Sequence, residues 1–296
     1  MDNKTLNKNK KWSAYSLKGF MRFFFQINFF MGKKKNLKGL DEFELQFIEE
    51  KMKGDSALNY LTSCGMITQL KALSFKLDIK CKNEKQKDFL KNLKDLDCKL
   101  NICDAPAGVG KSLLALTAGL YHLKKGNVSK IIVIVPTVEA SEATKIGLLP
   151  GSIEEKTYPF QIATRATIEK ILKLSGNVGY KEEAQQLING GFVEFELLSY
   201  ARGRTFDDAF IIIDEAENLS KKETLLLIGR MGEGNTKIVL LGDKEQCDRK
   251  GLRDASDCGL VHAKERLKDV EGVAIDEFNN NDIVRNTFIA KIFEKW

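Results

Sequence analysis

The sequence predicts an α/β protein with a mainly parallel sheet flanked by helices, and three observations support this fold class. From about residue 81 onward, short apolar runs alternate with helical stretches, which is typical of strands connected by helices. Most of the apolar runs are continuous, as expected for strands buried on both faces. One run leads through a glycine-containing loop into a helix. We therefore expect ligands to bind at the carboxyl ends of the strands.

Six strands and six helices are expected in this part of the chain. The predicted strands are 99–103, 130–135, 192–198, 209–213, 237–241 and 273–277. The predicted helices are 112–124, 156–174, 181–188, 221–231, 255–268 and 282–296. Parallel strands connected in this way are joined right-handedly.

The charge of the chain divides it into two unequal parts. The whole chain has a formal net charge of +6, yet residues 1–40 hold ten basic side chains against the single acid Asp2. The remainder has 37 basic and 40 acidic residues, so the basicity belongs to the N-terminal segment. We therefore divide the chain into a basic aromatic extension (1–38), an accessory helical region (39–80) and the α/β domain (81–296). The extension is either an arm that contacts nucleic acid or an anionic surface, or a poorly ordered segment.

Neither a membrane span nor a zinc site is expected. The apolar stretch 20–31 is interrupted by Arg22, Gln26 and Asn28, and it is too short to cross a bilayer. The six cysteines form no Cys-x-x-Cys pair, and the chain has only two histidines. These features favour a cytoplasmic protein with reduced thiols.

The strongest motif follows the strand that ends at Cys103. A phosphate-binding loop needs glycines, so that backbone amides can surround phosphate oxygens, and a helix whose first turn faces the anion. Lys111 would neutralise the β and γ oxygens of ATP, and Ser112 would ligate Mg²⁺. The predicted nucleotide-binding residues here are Ala105, Pro106, Ala107, Gly108, Val109, Gly110, Lys111, Ser112 and Leu113. Alanine stands at position 105, where G-x-x-x-x-G-K-S has its first glycine, and we expect it to be tolerated because this position makes a turn without contacting phosphate.

Two further strand ends carry polar side chains suited to hydrolysis. After strand 209–213, Asp214 would hold Mg²⁺ and Glu215 would polarise the attacking water. After strand 237–241, Asp243 and Gln246 would sense the γ-phosphate, provided that this strand lies between the acidic strand and the phosphate-loop strand. The alternative for the second segment is an ordinary Gly-Asp turn.

Several more residues are candidates for nucleotide or nucleic-acid contacts. A cation on the transferred phosphoryl group accelerates phosphoryl transfer, which makes Arg285, Arg202 and Arg204 candidates for an arginine finger. Arg202 and Arg204 are alternatively nucleic-acid contacts, and each arginine could equally be structural. Gln86, upstream of the loop, is a candidate for reading adenine.

Taken together, these residues resemble the PhoH-like family of bacterial and phage ATPases over about residues 81–296. The resemblance implies a P-loop NTPase with a RecA-like or helicase-like core, related to superfamily-one helicases, and some members of the family are described as RNA helicases. It also implies that Gln246 and Arg285 face the γ-phosphate. Besides Ala105, Val135 stands where the family often has arginine. The segments that carry the resemblance are 105–112, 136–142 with 147–151, 202–205, 213–218, 242–246 and 282–285.

The resemblance also bears on partners. Some relatives carry a PIN-type endoribonuclease, but the acids before residue 81 lie in no α/β alternation, so we expect no nuclease activity. A single helicase-like core favours a homo-oligomer, such as a ring, for any movement along RNA or single-stranded nucleic acid. ATP and Mg²⁺ are the expected cofactors. Two alternatives stay open: a nucleotide-regulated assembly protein without motor activity, and a small-molecule kinase.

Overall fold

The computed structural model describes residues 73–135, 153–247 and 257–284 of the chain. Residues 1–72 lie outside this description, and with them the predicted N-terminal extension and most of the accessory region. One compact unit comprises Lys76–Trp296. Its described chain begins before residue 81, because the amides of Lys76 and Asp78 donate to the side chains of Asn177 and Ser175, at 2.7 and 2.9 Å.

The described chain contains six strands and seven α-helices. The strands are β1 (Leu100–Asp104), β2 (Lys130–Val135), β3 (Val193–Leu197), β4 (Ala209–Ile213), β5 (Lys237–Gly242) and β6 (Val273–Glu277). The helices are α1 (Glu84–Lys94), α2 (Lys111–Lys124), α3 (Ile153–Leu174), α4 (Tyr180–Asn189), α5 (Leu198–Ala201), α6 (Lys221–Ile228) and α7 (Gly259–Leu267). Three 3₁₀ turns complete them: Ala216–Asn218, Lys244–Gln246 and Asn280–Asp282.

All six strands form one parallel sheet with the order β3-β2-β4-β5-β1-β6. The predicted fold class, a mainly parallel sheet flanked by helices, is confirmed. The strand order also meets the condition set from the sequence, because β5 lies between the acidic strand β4 and the phosphate-loop strand β1. The ends of these three strands therefore lie side by side at one edge of the sheet.

The centre of the sheet is apolar on both faces. Every residue of β1, β4 and β5 is buried, and the core cluster joins their isoleucines and leucines to residues of α6 and α7. A fully buried aliphatic side chain contributes roughly 1.5–3 kcal/mol of transfer free energy. The strands that carry the site are therefore fully buried in the core of the domain.

Some predicted boundaries differ from those observed. Strand β3 ends at Leu197 because Leu198 begins the short helix α5, and α6 ends at Ile228, well before Met231, which instead forms a β-bridge with Phe206. The helix predicted to begin at Asp282 does not begin there, because Asp282 closes a 3₁₀ turn and Ile283 is extended (ψ 120°). Helix α1 was not among the predicted helices, although Asn83 caps it by accepting from the Gln86 amide.

No helix among the described residues is long and apolar enough to cross a membrane.

Candidate nucleotide-binding site

The loop between β1 and α2 has the backbone conformation that a phosphate cradle needs. Gly108 (φ 94°) and Gly110 (φ 92°) both occupy the left-handed region, which side chains rarely adopt. At position 110 there is a second restriction, since a Cβ would lie 3.3 Å from the Gln86 side-chain nitrogen. The two glycines are therefore required by the path of the loop.

Alanine fits at position 105 for a visible reason. Ala105 is only 1% exposed, and its amide donates to the carbonyl of Gly242 at 2.9 Å. Among the described residues, the non-glycine positions with positive φ are Asp208 and Glu215, so Ala105 needs no glycine-like conformation. The Ala105 amide therefore anchors the loop to β5, and its side chain is buried.

The functional groups at the start of α2 lie against the loop and the acidic strand. Lys111 Nζ donates to the Ala105 carbonyl at 3.0 Å, so the lysine folds back along the loop. Ser112 Oγ donates to Asp214 Oδ2 at 2.9 Å. Although 102 residues apart in the sequence, the hydroxyl and the carboxylate thus form one pair of oxygen ligands.

This pair has the donor chemistry that Mg²⁺ prefers, namely hard oxygen ligands with room for water and phosphate oxygens. Burial raises the pKa of Asp214, while the Ser112 hydroxyl and the Lys111 ammonium act in the opposite direction. A cation at this position would favour the ionised carboxylate. Ser112 and Asp214 are therefore the residues that would hold the metal.

Glu215 is exposed at the same edge and has an unusual backbone. Its φ is 55°, which costs a non-glycine residue on the order of 1–3 kcal/mol. Its amide donates to Asp214 Oδ1 at 3.1 Å, which fixes both acids relative to each other. The strained turn directs consecutive carboxylates differently: Asp214 lies against Ser112, whereas Glu215 reaches solvent, where a water to be activated would enter.

The chain forms a tight turn directly after β5, the strand that lies between β4 and β1. Asp243 is buried and its carboxylate accepts from the Glu245 amide at 3.1 Å, while the Gln246 amide donates to the Asp243 carbonyl at 2.9 Å. The Gln246 side chain is exposed. The turn is joined to the neighbouring strand ends at two points: the Asp243 amide donates to Glu217 Oε2 at 3.2 Å and the Lys244 amide donates to Asp104 Oδ1 at 3.3 Å.

Gln86 lies beneath the loop with both polar side-chain atoms engaged. Its Nε2 donates to the Val109 carbonyl and its Oε1 accepts from the Lys82 amide, both at 2.7 Å. The side chain is buried, so in this structure it supports the loop. Contact with adenine stays a prediction from the sequence.

The arginines have different surroundings. Arg204 pairs with Glu196 and, at 3.8 Å, with Glu194, both on the edge strand β3. Arg202 follows α5 with its side chain 53% exposed, and it approaches Glu223 at 3.5 Å. Arg204 thus lies against the edge strand β3, four strands from β1 in the sheet order, whereas Arg202 lies beside the third residue of α6.

Arg285 lies outside the described residues. The preceding residue, Val284, donates its amide to the Gly108 carbonyl at 3.2 Å. The chain therefore passes the phosphate loop immediately before Arg285.

Two groups at the site were not predicted. Asp104, the last residue of β1, accepts from the Lys264 ammonium at 2.7 Å, and Lys264 also pairs with Glu277 at the same distance. Glu217 is buried in the turn after the acid pair. Glu217 could have been noticed as the third acid of Asp-Glu-Ala-Glu, whereas no sequence pattern singles out Lys264.

A phosphate cradle at the end of a central parallel strand, with an acid pair two strands away, defines the class of P-loop NTPases. The family model for PhoH-like proteins matches residues 78–296. This chain therefore belongs to the PhoH-like family, as the resemblance implied.

Relatives agree with this assignment. A PhoH-like protein of Bacillus subtilis is 34% identical over 219 residues, which cover 74% of this chain and 64% of that protein. Protein PhoH2 of Bacillus subtilis is 40% identical over 64% of this chain and 42% of its own length. Protein PhoH of Escherichia coli is 32% identical over 72% of this chain and 56% of its own. The chain thus matches less than two thirds of the length of each of these relatives.

Proposed function

We propose that this protein is a magnesium-dependent ATPase whose hydrolysis is coupled to binding or remodelling RNA or another single-stranded nucleic acid. The observation that carries the ATPase part is the 2.9 Å contact between Ser112 and Asp214, because it joins the phosphate loop and the acidic strand at one point. Strand order, loop conformation and family membership support the same interpretation.

Each group in the site would have a defined task. The loop amides and Lys111 would bind the β and γ phosphates, and Ser112 and Asp214 would hold Mg²⁺. Bound Mg²⁺ neutralises charge on the phosphate oxygens. Glu215 would orient the attacking water, and Gln246 would register whether the γ-phosphate is present.

Lys111→Ala should abolish phosphate release, since it removes the cation that neutralises the transferred group; a loss of at least about 100-fold is expected. The measurement is steady-state phosphate release with ATP and Mg²⁺. Lys87→Ala, at an exposed lysine of α1, is the matched control and should retain activity. Full hydrolysis by Lys111→Ala would refute the proposal. A phosphorylated small molecule in place of free phosphate would point to a kinase.

A second candidate, a nucleotide-regulated assembly protein, is favoured by the position of Arg202. The Arg202 side chain is 53% exposed and pairs with Glu223 on α6, so it would be available to reach the nucleotide of a neighbouring subunit. We expect ATP to promote an oligomer, measured by light scattering. Glu215→Gln separates the two functions, because it should trap ATP and keep assembly while stopping turnover.

A further inference from the structure

The turn that carries the acid pair is attached to the tip of β5 through one buried side chain. Glu217 is 5% exposed, and its Oε2 accepts from the backbone amide of Asp243 at 3.2 Å. Twenty-six residues separate the two, so this contact exists only because β4 and β5 are neighbours in the sheet. The contact bridges the segment that would activate water and the segment that would sense the γ-phosphate.

The surroundings of Glu217 leave little freedom for this contact. A Cβ on Gly242 would lie 2.6 Å from Glu217 Oε2 and 3.0 Å from its backbone nitrogen, so the glycine permits the carboxylate to approach β5. The carbonyl of Glu217 accepts from two thiols, Cys247 at 3.3 Å and Cys258 at 3.5 Å. Glu217 therefore contacts three segments: the end of β5, Cys247 after the 3₁₀ turn, and Cys258, which is the N-cap of α7.

The buried surroundings of Glu217 disfavour the ionised form of its side chain. Burial raises the pKa of Glu217 to about 7, Glu215 adds to the shift, and the hydrogen bond from Asp243 and the Lys111 ammonium oppose it. Burying a polar group costs free energy unless it is hydrogen-bonded, and the Asp243 amide supplies a hydrogen bond to the Glu217 side chain.

We propose that Glu217 is a positioning residue that couples the acid pair Asp214–Glu215 to the sensing turn Asp243–Gln246, so that both segments respond together to the γ-phosphate. This rests on the proposed ATPase function. Its role depends on the length of the side chain, because the contact with the Asp243 amide requires reach across the gap between two strands. The charge is secondary, since an uncharged acceptor can serve the same amide.

Two substitutions separate length from charge. Glu217→Gln keeps the length and an acceptor oxygen but removes the charge, whereas Glu217→Asp keeps the charge and shortens the reach by one methylene. Both are small changes that the core can accommodate. Glu183→Asp is the matched control, because Glu183 is a partly buried carboxylate on α4, remote from the site.

Three measurements are made on the full chain. Without nucleotide, hydrogen exchange of the Asp243 amide reports the contact itself; ATP affinity and kcat for phosphate release report its use. We expect Glu217→Asp to speed exchange of this amide and lower kcat at least tenfold, with ATP affinity within threefold of wild type. Glu217→Gln should keep both the exchange rate of the Asp243 amide and kcat within threefold of wild type. Glu183→Asp should behave like wild type.

The proposal is overturned if kcat of Glu217→Asp stays within twofold of wild type, if ATP affinity falls as far as kcat, or if Glu217→Gln is as impaired as Glu217→Asp. Failure of the proposed function looks different, because wild-type protein would then release no phosphate. Even then, unchanged exchange of the Asp243 amide in Glu217→Asp would overturn the contact on which the coupling rests.

Discussion

Two kinds of small residue in the phosphate loop have different physical roles. Gly108 and Gly110 hold left-handed conformations that cost other residues roughly 1–2 kcal/mol each. Ala105 has an ordinary conformation, is buried, and donates its amide to Gly242. The departure from the usual glycine at position 105 therefore concerns how the loop is anchored and leaves the cradle intact.

The two positions should respond in opposite ways to substitution. Ala105→Gly should keep ATP affinity within twofold and lower the free energy of unfolding by about 0.4–1 kcal/mol, because glycine gains freedom in the unfolded chain. Gly110→Ala should weaken ATP binding at least tenfold, because φ is 92° and the added Cβ would press on Gln86. Titration with a fluorescent ATP analogue and urea unfolding measure these effects. Tighter ATP binding by Ala105→Gly would contradict this account.

At the residue scale, candidate site residues could be proposed from the sequence where the residues of a motif are consecutive. The loop 105–112 and the Asp214–Glu215 pair could be recognised because each motif lies within a few consecutive residues. Lys264 could not, because its partner Asp104 becomes its neighbour only through the packing of α7. Glu217 is visible beside the acid pair in the sequence, but its contact with Asp243 arises only through strand order. Gln86 was noticed, but its contact with the loop carbonyl of Val109 has no sequence signal.

At the scale of elements, the strands were the more predictable part. Continuous apolar runs located all six to within one or two residues, because burial on both faces leaves a strong pattern. Helix ends were less predictable, since they depend on local contacts. Helix α6 ends at Ile228 with Gly229 as its C-cap, after which the chain turns to bridge Phe206, and residues 280–282 form a 3₁₀ turn capped by Asn279.

Strand β5 is fixed at its other end by a buried lysine. Lys237 is 1% exposed, and its ammonium donates to the carbonyls of Asn92, Asp95 and Cys98 at 2.8, 2.7 and 2.6 Å. Burial lowers its pKa to about 8, so the side chain is still mostly charged at pH 7. The lysine joins β5 to the connection between α1 and β1, and so aligns two of the three strands that carry the site.

Lys237→Met should lower the free energy of unfolding by about 3 kcal/mol, because methionine fills the space but leaves three buried carbonyls without their donor. Urea unfolding at pH 7 measures the change. Lys130→Met is the control, since Lys130 makes a partly exposed ion pair with Glu194, and its loss should cost less than about 1 kcal/mol. If the free energy of unfolding fell equally in the two variants, the buried contacts of Lys237 would stabilise the protein no more than the partly exposed ion pair of Lys130.

For the whole molecule, charge is distributed unevenly between the catalytic domain and the N-terminal segment. The residues after position 40 carry 37 basic and 40 acidic side chains, so they offer little general attraction for nucleic acid. The ten basic residues of positions 1–38 are interspersed with aromatic residues, a composition suited to a single-stranded backbone and its bases. We therefore expect the proposed nucleic-acid interaction to involve this N-terminal segment.

Deletion of residues 1–38 separates the two interpretations of this segment. If it is a nucleic-acid arm, the deletion should weaken binding of single-stranded RNA at least tenfold at low salt. The slope of log affinity against log salt should also become shallower, by about 0.7 for each phosphate that the shortened protein no longer neutralises. ATP hydrolysis without RNA should stay within twofold of wild type, because the phosphate loop and the acid pair lie entirely within residues 105–215. Filter binding across salt concentrations measures the slope. An unchanged affinity and slope would identify the segment as an extension with no part in binding, and any RNA contact would then have to come from the acidic domain itself.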